Sequence, residues 1–347
     1  MAGLVTAVRA RELGLEPVVY EKGTRPGGSM LLSSGVVWRH AEWESFRREC
    51  PGGDAPLQRL VWDRLDEALE WLRSLGAPVV AEDTENPRTT GRRFETRGLT
   101  DSLVSRVGTL KLGECAPLGT AEPTVLATGG FGGSPELVGR HLRPAAPLRL
   151  RANPWSTGDG LEHALERGAE LSAGMDEFYG RNMPDTPWSE PEFVSASQLY
   201  AGRARIFDED GVEFFRPEDV SWSETNVVQA TARRPGARAY YLLTEAALAE
   251  PAVTDRIGPT IAPGELPFPA PARTAAAVRV VASITHTIGG LRVDEHARVL
   301  RADGEPVEGL YAAGVDVGGV ATGGYASGLA QALVLGLTAA ESVTDLS

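Results

Sequence analysis

The sequence predicts an α/β fold in two domains: an outer α/β domain built from residues 1–175 and 286–347, and an α+β segment, 176–285, that interrupts it. Three observations predict this. Stretches that read strand, glycine turn, helix recur, and they fall only in the outer segments. The chain has 347 residues, beyond the size at which one hydrophobic core usually stops growing. From about Met175 the glycine motifs give way to aromatic and proline punctuation at Tyr179, Trp188, Pro191, Pro217, Trp222 and Pro235.

The chain starts inside an amphipathic helix, with Gly14 placed to end it. Pro17–Glu21 then reads as a strand whose last residue is acidic, expected to lie beside the strand that ends at Ala127. In a dinucleotide-binding βαβ unit a strand precedes G-x-G-x-x-G, and an acidic residue some twenty positions later takes the ribose hydroxyls. Gly3 fits the third glycine and Glu21 the acid, but the first strand and the first two glycines are absent from the sequence. The expectation is therefore a truncated record of a longer chain. Gly27-Gly28-Ser29 can bring backbone close to a ligand, because glycine lacks the Cβ that would block it. Ser29, Ser33 and Ser34 offer hydroxyls nearby.

Gln58–Gly76 reads as a helix with Leu60, Leu65, Leu69 and Leu72 inward. Another begins near Gly98, with Thr100 as candidate N-cap. Thr124-Val-Leu-Ala-Thr-Gly-Gly is a buried strand ending in a double-glycine turn. Ser156-Thr-Gly-Asp-Gly opens a further helix, Asp159 being a cap or a ligand contact. In the middle segment Phe207–Phe215 reads as a hairpin turning at Asp210-Gly211, Ala239–Thr244 as a strand, and Pro259–Ala277 as a linker. A strand follows near Thr285. Leu310–Ala313 is a short buried strand ended by Gly314, and helical sequence begins near Ser327. Along that helix Gly328, Ala332, Gly336 and Ala340 form a small row suited to close backbone packing, and Leu329, Leu333 and Leu337 a greasy one. Strand, glycine turn and helix N-terminus together gather backbone N–H groups and a positive dipole end, which suits a cofactor that is anionic or becomes so on reduction.

Composition narrows the class. The net charge of −13 argues against binding a nucleic-acid backbone. Two cysteines and five scattered histidines offer neither a disulfide framework nor metal-ligand spacing. No signal peptide and no apolar run long enough for a bilayer appear, so the expected location is cytoplasmic.

Glu21 after its strand, Ala127-Thr-Gly-Gly, Ser156-Thr-Gly-Asp-Gly, His286-Thr-Ile-Gly-Gly and Gly309-Leu-Tyr-Ala-Ala-Gly occur in the order of a known family. The sequence resembles the FAD-dependent fumarate reductase and 3-ketosteroid Δ1-dehydrogenase superfamily over nearly its whole length. The resemblance implies a Rossmann-like FAD-binding domain interrupted by a capping domain. It implies that Gly3, Glu21, Lys22, Gly27, Gly28, Ser29, Ser34 and Gly35 contact FAD. Ala127, Thr128, Gly129, Asp159, Gly314, Asp316, Ser327, Gly328 and Leu329 complete the implied cofactor set. Tyr325 and His286 are the expected catalytic groups, with Tyr179 and Arg181 on the cap side. A small-molecule substrate and an unidentified electron acceptor follow as partners.

Departures from the family pattern shape the expectation further. Where fumarate reductases carry an Arg for the substrate carboxylate, this chain has Tyr325, as ketosteroid dehydrogenases do. The Arg of the family's Gly-x-Arg-Phe element is Glu213 here, and the acidic residue after Ala-Ala-Gly is displaced to Asp316. No His follows Gly27-Gly28 where succinate dehydrogenases attach flavin, so noncovalent FAD is expected. The β-meander before Ala127 is nearly gone and the region before Thr285 is short, so residues are expected to be missing near 113–122 and 256–271. The implied reaction is hydride transfer between a C–C bond next to a carbonyl and flavin N5. The alternatives are an ene-reductase acting on a carboxylate and a degenerate chain of this fold without catalysis.

Overall fold

A computed structural model describes residues 1–117 and 122–344. The sequence expectation at 113–122 falls in part on 118–121, which lie outside the described residues. The chain divides into two compact units, Met1–Ser134 with Asn153–Glu177 and His286–Ser347, and Pro135–Ala152 with Phe178–Thr285.

The first unit carries three small sheets. Val18–Glu21 pairs in parallel with Thr109–Leu112. Pro306–Ala312 lies between Thr124–Leu126, parallel to it, and Arg298–Leu300, antiparallel. Thr89–Phe94 is the centre of an antiparallel trio with Val36–His40 and Val79–Ala81. The strand ending in Glu21 was expected beside the strand ending at Ala127. It is not hydrogen-bonded to it, because each has taken another partner, and helix Ala2–Glu12 packs against both.

Helix Ala2–Glu12 lies close along helix Gly328–Thr344, and the small row explains how. A Cβ added at Gly336 would stand 3.0 Å from Ala2 O and from Val5 Cγ1, while Thr6 Oγ1 donates to Gly336 O at 3.1 Å. Helix Ala55–Ser74 starts at Asp54, whose side chain accepts from Leu57 N, and buries Leu57, Val61, Leu65, Leu69 and Leu72 on one face. Leu60 is only half-buried. The helix expected to be capped by Thr100 begins earlier, at Thr96, because the Glu95 carboxylate accepts from both Arg97 N and Gly98 N. Thr100 lies inside that helix and donates back to Thr96 O.

The second unit is organised on the long strand Ala276–Thr287, whose last two residues belong to the first unit. Arg238–Leu243 and Thr260–Ile261 pair antiparallel to it, and Arg149–Leu150 parallel to it. That parallel pairing explains why 135–152, counted with the outer segments from sequence, has its contacts in the second unit. The hairpin turns where expected: Asp208 Oδ1 accepts from Asp210 N and Val212 N, and Gly211 takes a φ of 77°. The run expected as a linker is part of the sheet's cover, with Phe268 stacked on Phe207 and edge-on to Tyr240. Tyr200, Ile206, Val227, Tyr241, Leu243 and Val278 form the core.

Among the described residues no helix is long and apolar enough to cross a membrane, and no cluster of three or more His, Cys, Asp or Glu side chains could hold a metal.

Candidate cofactor and active site

Three strands of the first unit end in glycine turns, and these turns are tied to one another. Beyond Glu21 the chain passes through Gly27 and Gly28, with φ of 99° and 54°. Gly129 and Gly130 follow the second strand at 89° and 75°, and Gly314 follows the third at 70°. Such angles strain any residue with a Cβ, which is why glycine stands there.

The first tie is the loop at Asn153. Its amide donates to Ser29 Oγ at 2.7 Å and to Ser156 Oγ at 3.1 Å, and its backbone N–H also reaches Ser29 Oγ. Ser156 in turn sits against the second turn, 2.5 Å from where a Cβ on Gly129 would be. The second tie is Asp316, 1% exposed. Thr128 Oγ1 donates to its Oδ1 at 2.7 Å and Gly129 N to its Oδ2 at 2.9 Å. Burial pushes the Asp316 carboxyl above its ordinary value, opposed by these hydrogen bonds. Both oxygens are used by protein donors. Through these bonds Asp316 shapes the turn.

Other sequence candidates take definite places. Gly3 brings the first helix to Ala127, a Cβ there lying 3.4 Å from Ala127 Cβ; one on Gly314 would lie 3.0 Å from Ala2 Cβ. Glu21 accepts from Gly23 N at 2.7 Å through Oε1. Lys22 Nζ donates to Thr157 Oγ1 at 2.6 Å and to Asp159 Oδ2 at 2.8 Å. Burial raises the Asp159 carboxyl, but the bonds from Lys22 and Thr157 outweigh it and hold the group below its usual range. Asp159 opens its helix as the first residue after Gly158 rather than as the cap. Ser34 and Gly35 belong to the entry of the Val36–His40 strand: Phe94 N donates to Gly35 O, and a Cβ at Gly35 would collide with Phe94 O. That packing calls for a glycine at this position.

Ser327 caps the last helix, its Oγ accepting from Ala330 N at 3.2 Å, and the half-buried Leu329 follows in the first turn. Gly328 leaves room for His286, whose Nε2 would stand 3.1 Å from a Cβ at that position. His286 Nδ1 lies 3.0 Å from Thr287 O, so in the neutral ring Nδ1 donates and Nε2 keeps its lone pair. Burial pushes the His286 pKa down, which favours that neutral ring. Tyr325 is two residues before the cap, with its ring 5.2 Å from the Trp38 ring.

Sequence reasoning missed His40. Its Nε2 lies 3.1 Å from Tyr325 O, and it is 3% exposed. It fixes the backbone of the candidate catalytic tyrosine; strand alternation through Val36–His40 pointed inward but named no partner. Burial lowers the His40 pKa, as it does that of His286. Between the ordinary histidine value of 6.5 and these lower ones, the unfolded chain binds protons that the native chain does not. Stability should therefore fall as pH drops below about 6.5. Thermal unfolding followed from about pH 8 to about pH 5 should show this slope, and His40→Gln should flatten it; an unchanged slope in the variant removes His40 from the account.

Tyr179 and Arg181 lie in the second unit. The Arg181 guanidinium stands 4.9 Å over the Tyr179 ring and also donates to Ser223 O. Beside them, Glu224 was not found from sequence. It takes a left-handed φ of 56°, accepts from Ala201 N, and is pushed by burial up to about 7 against the opposing Arg181 charge.

Comparison with known proteins decides the family. A family model described as FAD binding domain matches residues 118–329, more than half of the chain. The chain belongs to this FAD-binding family. The probable fumarate reductase Ifc3 of Shewanella frigidimarina is 21% identical over 407 residues, covering 92% of this chain and 68% of that protein. A KsdD-like steroid dehydrogenase of Mycobacterium tuberculosis is 30% identical over 202 residues, 55% of this chain and 29% of its own. The matched stretches span from 6% to 68% of the curated relatives' lengths. In fold, the chain is similar to the 3-ketosteroid-Δ4-(5α)-dehydrogenase of Rhodococcus jostii, with a TM-score of 0.75, 18% identity, and coverage of 99% of this chain and 94% of that one. FAD is the family's cofactor, and the residues present fit it. The three turns follow the carboxyl ends of their strands, and Lys22 and the start of the last helix offer positive charge to an anionic group.

Proposed function

We propose that this chain binds FAD noncovalently and is an oxidoreductase of CH–CH bonds, dehydrogenating an uncharged ketone. The observation that carries this reading is the tying of the three glycine turns by Asn153 and Asp316, with Tyr325 and His286 at the start of the last helix. Bound FAD supplies hydride acceptance at N5. Everything else falls to the chain's own residues. Glu21 holds the ribose, and the Gly27–Ser29 and Thr128–Gly129 turns admit the phosphates close to backbone N–H groups. The start of helix Gly328–Thr344 offers a positive dipole end to negative charge.

His286, held neutral by burial, is suited to accept a proton or a hydrogen bond. Tyr325 is suited to donate to a carbonyl or, with its pKa lowered, to take an α-proton. A phenol carries no fixed positive charge for a carboxylate, and this favours a ketone over a dicarboxylate. The second reading, a carboxylate ene-reductase, draws on the fumarate reductase relative, whose match covers 92% of this chain. On the first reading Tyr179 and Arg181, in the second unit, are candidate substrate contacts.

Replacing Glu21 with Ala should weaken FAD binding by roughly 1.5–3 kcal/mol, the range for a hydrogen bond to a charged group. Equilibrium titration of FAD into the apoprotein measures this directly. Unchanged affinity would remove Glu21 from the ribose site.

A further inference from the structure

We propose that the aromatic side chains between Tyr325 and Trp43 form a relay for single electrons, linking the candidate site to the surface of the first unit. The Tyr325 ring lies 5.2 Å from Trp38, and Trp38 lies 5.3 Å from His40. The His40 carbonyl accepts the indole N–H of Trp62 at 3.0 Å, and Trp62 stands 6.1 Å from Trp43. A parallel branch runs through Phe46, 5.0 Å from His40 and 6.0 Å from Trp43. The inner rings are buried, with Trp38 7% and His40 3% exposed, whereas Trp43 and Trp62 are only half-buried and reach the surface.

Packing alone asks for bulk, and Phe or Leu would supply it. This run instead uses three of the chain's seven tryptophans and one tyrosine, the side chains from which an electron is most easily removed. The outer indoles lie under cations: Arg39 is 4.4 Å above Trp62, and Arg59 is 5.1 Å above Trp43. A bare guanidinium there would oppose removal of an electron. Asp66 at 2.8 Å from Arg39 and Asp63 at 2.7 Å from Arg59 offset it.

The relay's use rests on the reading that a flavin is reduced and re-oxidised beside Tyr325. Superoxide, formed where reduced flavin passes one electron to dioxygen, takes a hydrogen atom from the Tyr325 phenol and a proton from solvent and becomes hydrogen peroxide. Trp38 returns one electron and solvent one proton, restoring the phenol. The vacancy passes from Trp38 to Trp62 and Trp43, where a thiolate or ascorbate in solution fills it and is itself oxidised by one electron. Tyr325 is thereby spared permanent modification.

Flash photolysis of the purified holoprotein with a soluble ruthenium polypyridyl sensitiser and an external quencher oxidises the outer rings, and transient absorption with electron paramagnetic resonance identifies each radical. An indole radical should form first, a phenoxyl radical should appear in exchange with it, and both should decay together when ascorbate is added. The phenoxyl signal should disappear in Tyr325→Phe and be mostly lost in Trp38→Phe and in the double variant Trp43→Phe/Trp62→Phe, with folding checked by circular dichroism. Trp62→Phe alone should leave the flavin spectrum as it is. A phenoxyl signal that persists in Tyr325→Phe, or is undiminished in the double variant, overturns the relay. The radical signals do not require flavin, so loss of the relay and loss of the flavin reading are separately visible.

Discussion

Tyr325→Phe should reduce turnover by about 10²–10⁴ while FAD stays bound, because Phe keeps the ring against Trp38 and removes only the hydroxyl. The backbone contact to His40 uses the Tyr325 carbonyl, which the substitution leaves in place. A general acid–base hydroxyl and a packing ring therefore part company in this one variant. Single-turnover reduction of the bound flavin is the measurement, since it isolates the chemical step from product release. Reduction at the wild-type rate would leave Tyr325 a packing residue. His286→Ala should lower the same rate, and its neutral ring implies activity that falls as pH drops into the range where the imidazole takes a proton.

Asp316→Ala should be the most damaging substitution for the fold of the site. It removes the buried carboxylate that accepts from the Thr128 hydroxyl and Gly129 N–H. Each lost hydrogen bond costs about 0.5–1.5 kcal/mol where water can reach the donor, so a loss of roughly 1–3 kcal/mol is expected by chemical denaturation. Loss of FAD affinity should accompany it, because the turn after Leu126 is no longer tied to the turn after Ala313. A variant as stable as the parent would show that the carboxylate is not the tie.

The glycine turns were legible because their cause is local. A residue at φ of 99°, 89° or 70° is strained unless it is glycine, so Gly27, Gly129 and Gly314 mark their turns in any context. The small row on the last helix was legible for the same reason: Gly336 is spaced for a close neighbour, and helix Ala2–Glu12 is that neighbour. What the sequence hid depends on partners far away in the chain. Asn153 meets Ser29 across 124 residues and His40 meets Tyr325 across 285, and neither residue carries a local signature of that contact. Asp316 was found as an acid near a glycine turn, but only its burial reveals that it points into the protein. The pairing of Val18–Glu21 was misread because a strand's neighbour depends on which other strands compete for its edge. Thr109–Leu112 took that edge here. Gly35 has the angle of a ligand loop, yet the atom that forbids its Cβ is Phe94 O.

The central claim is that the tied turns of the first unit are an FAD site. Titration of FAD into the apoprotein, followed by quenching of flavin fluorescence and by the visible spectrum, tests it most directly. The account predicts saturable binding of one FAD per chain, a yellow protein, and weaker binding in Glu21→Ala and Asp316→Ala. A colourless protein that leaves flavin fluorescence unchanged at every concentration would contradict it.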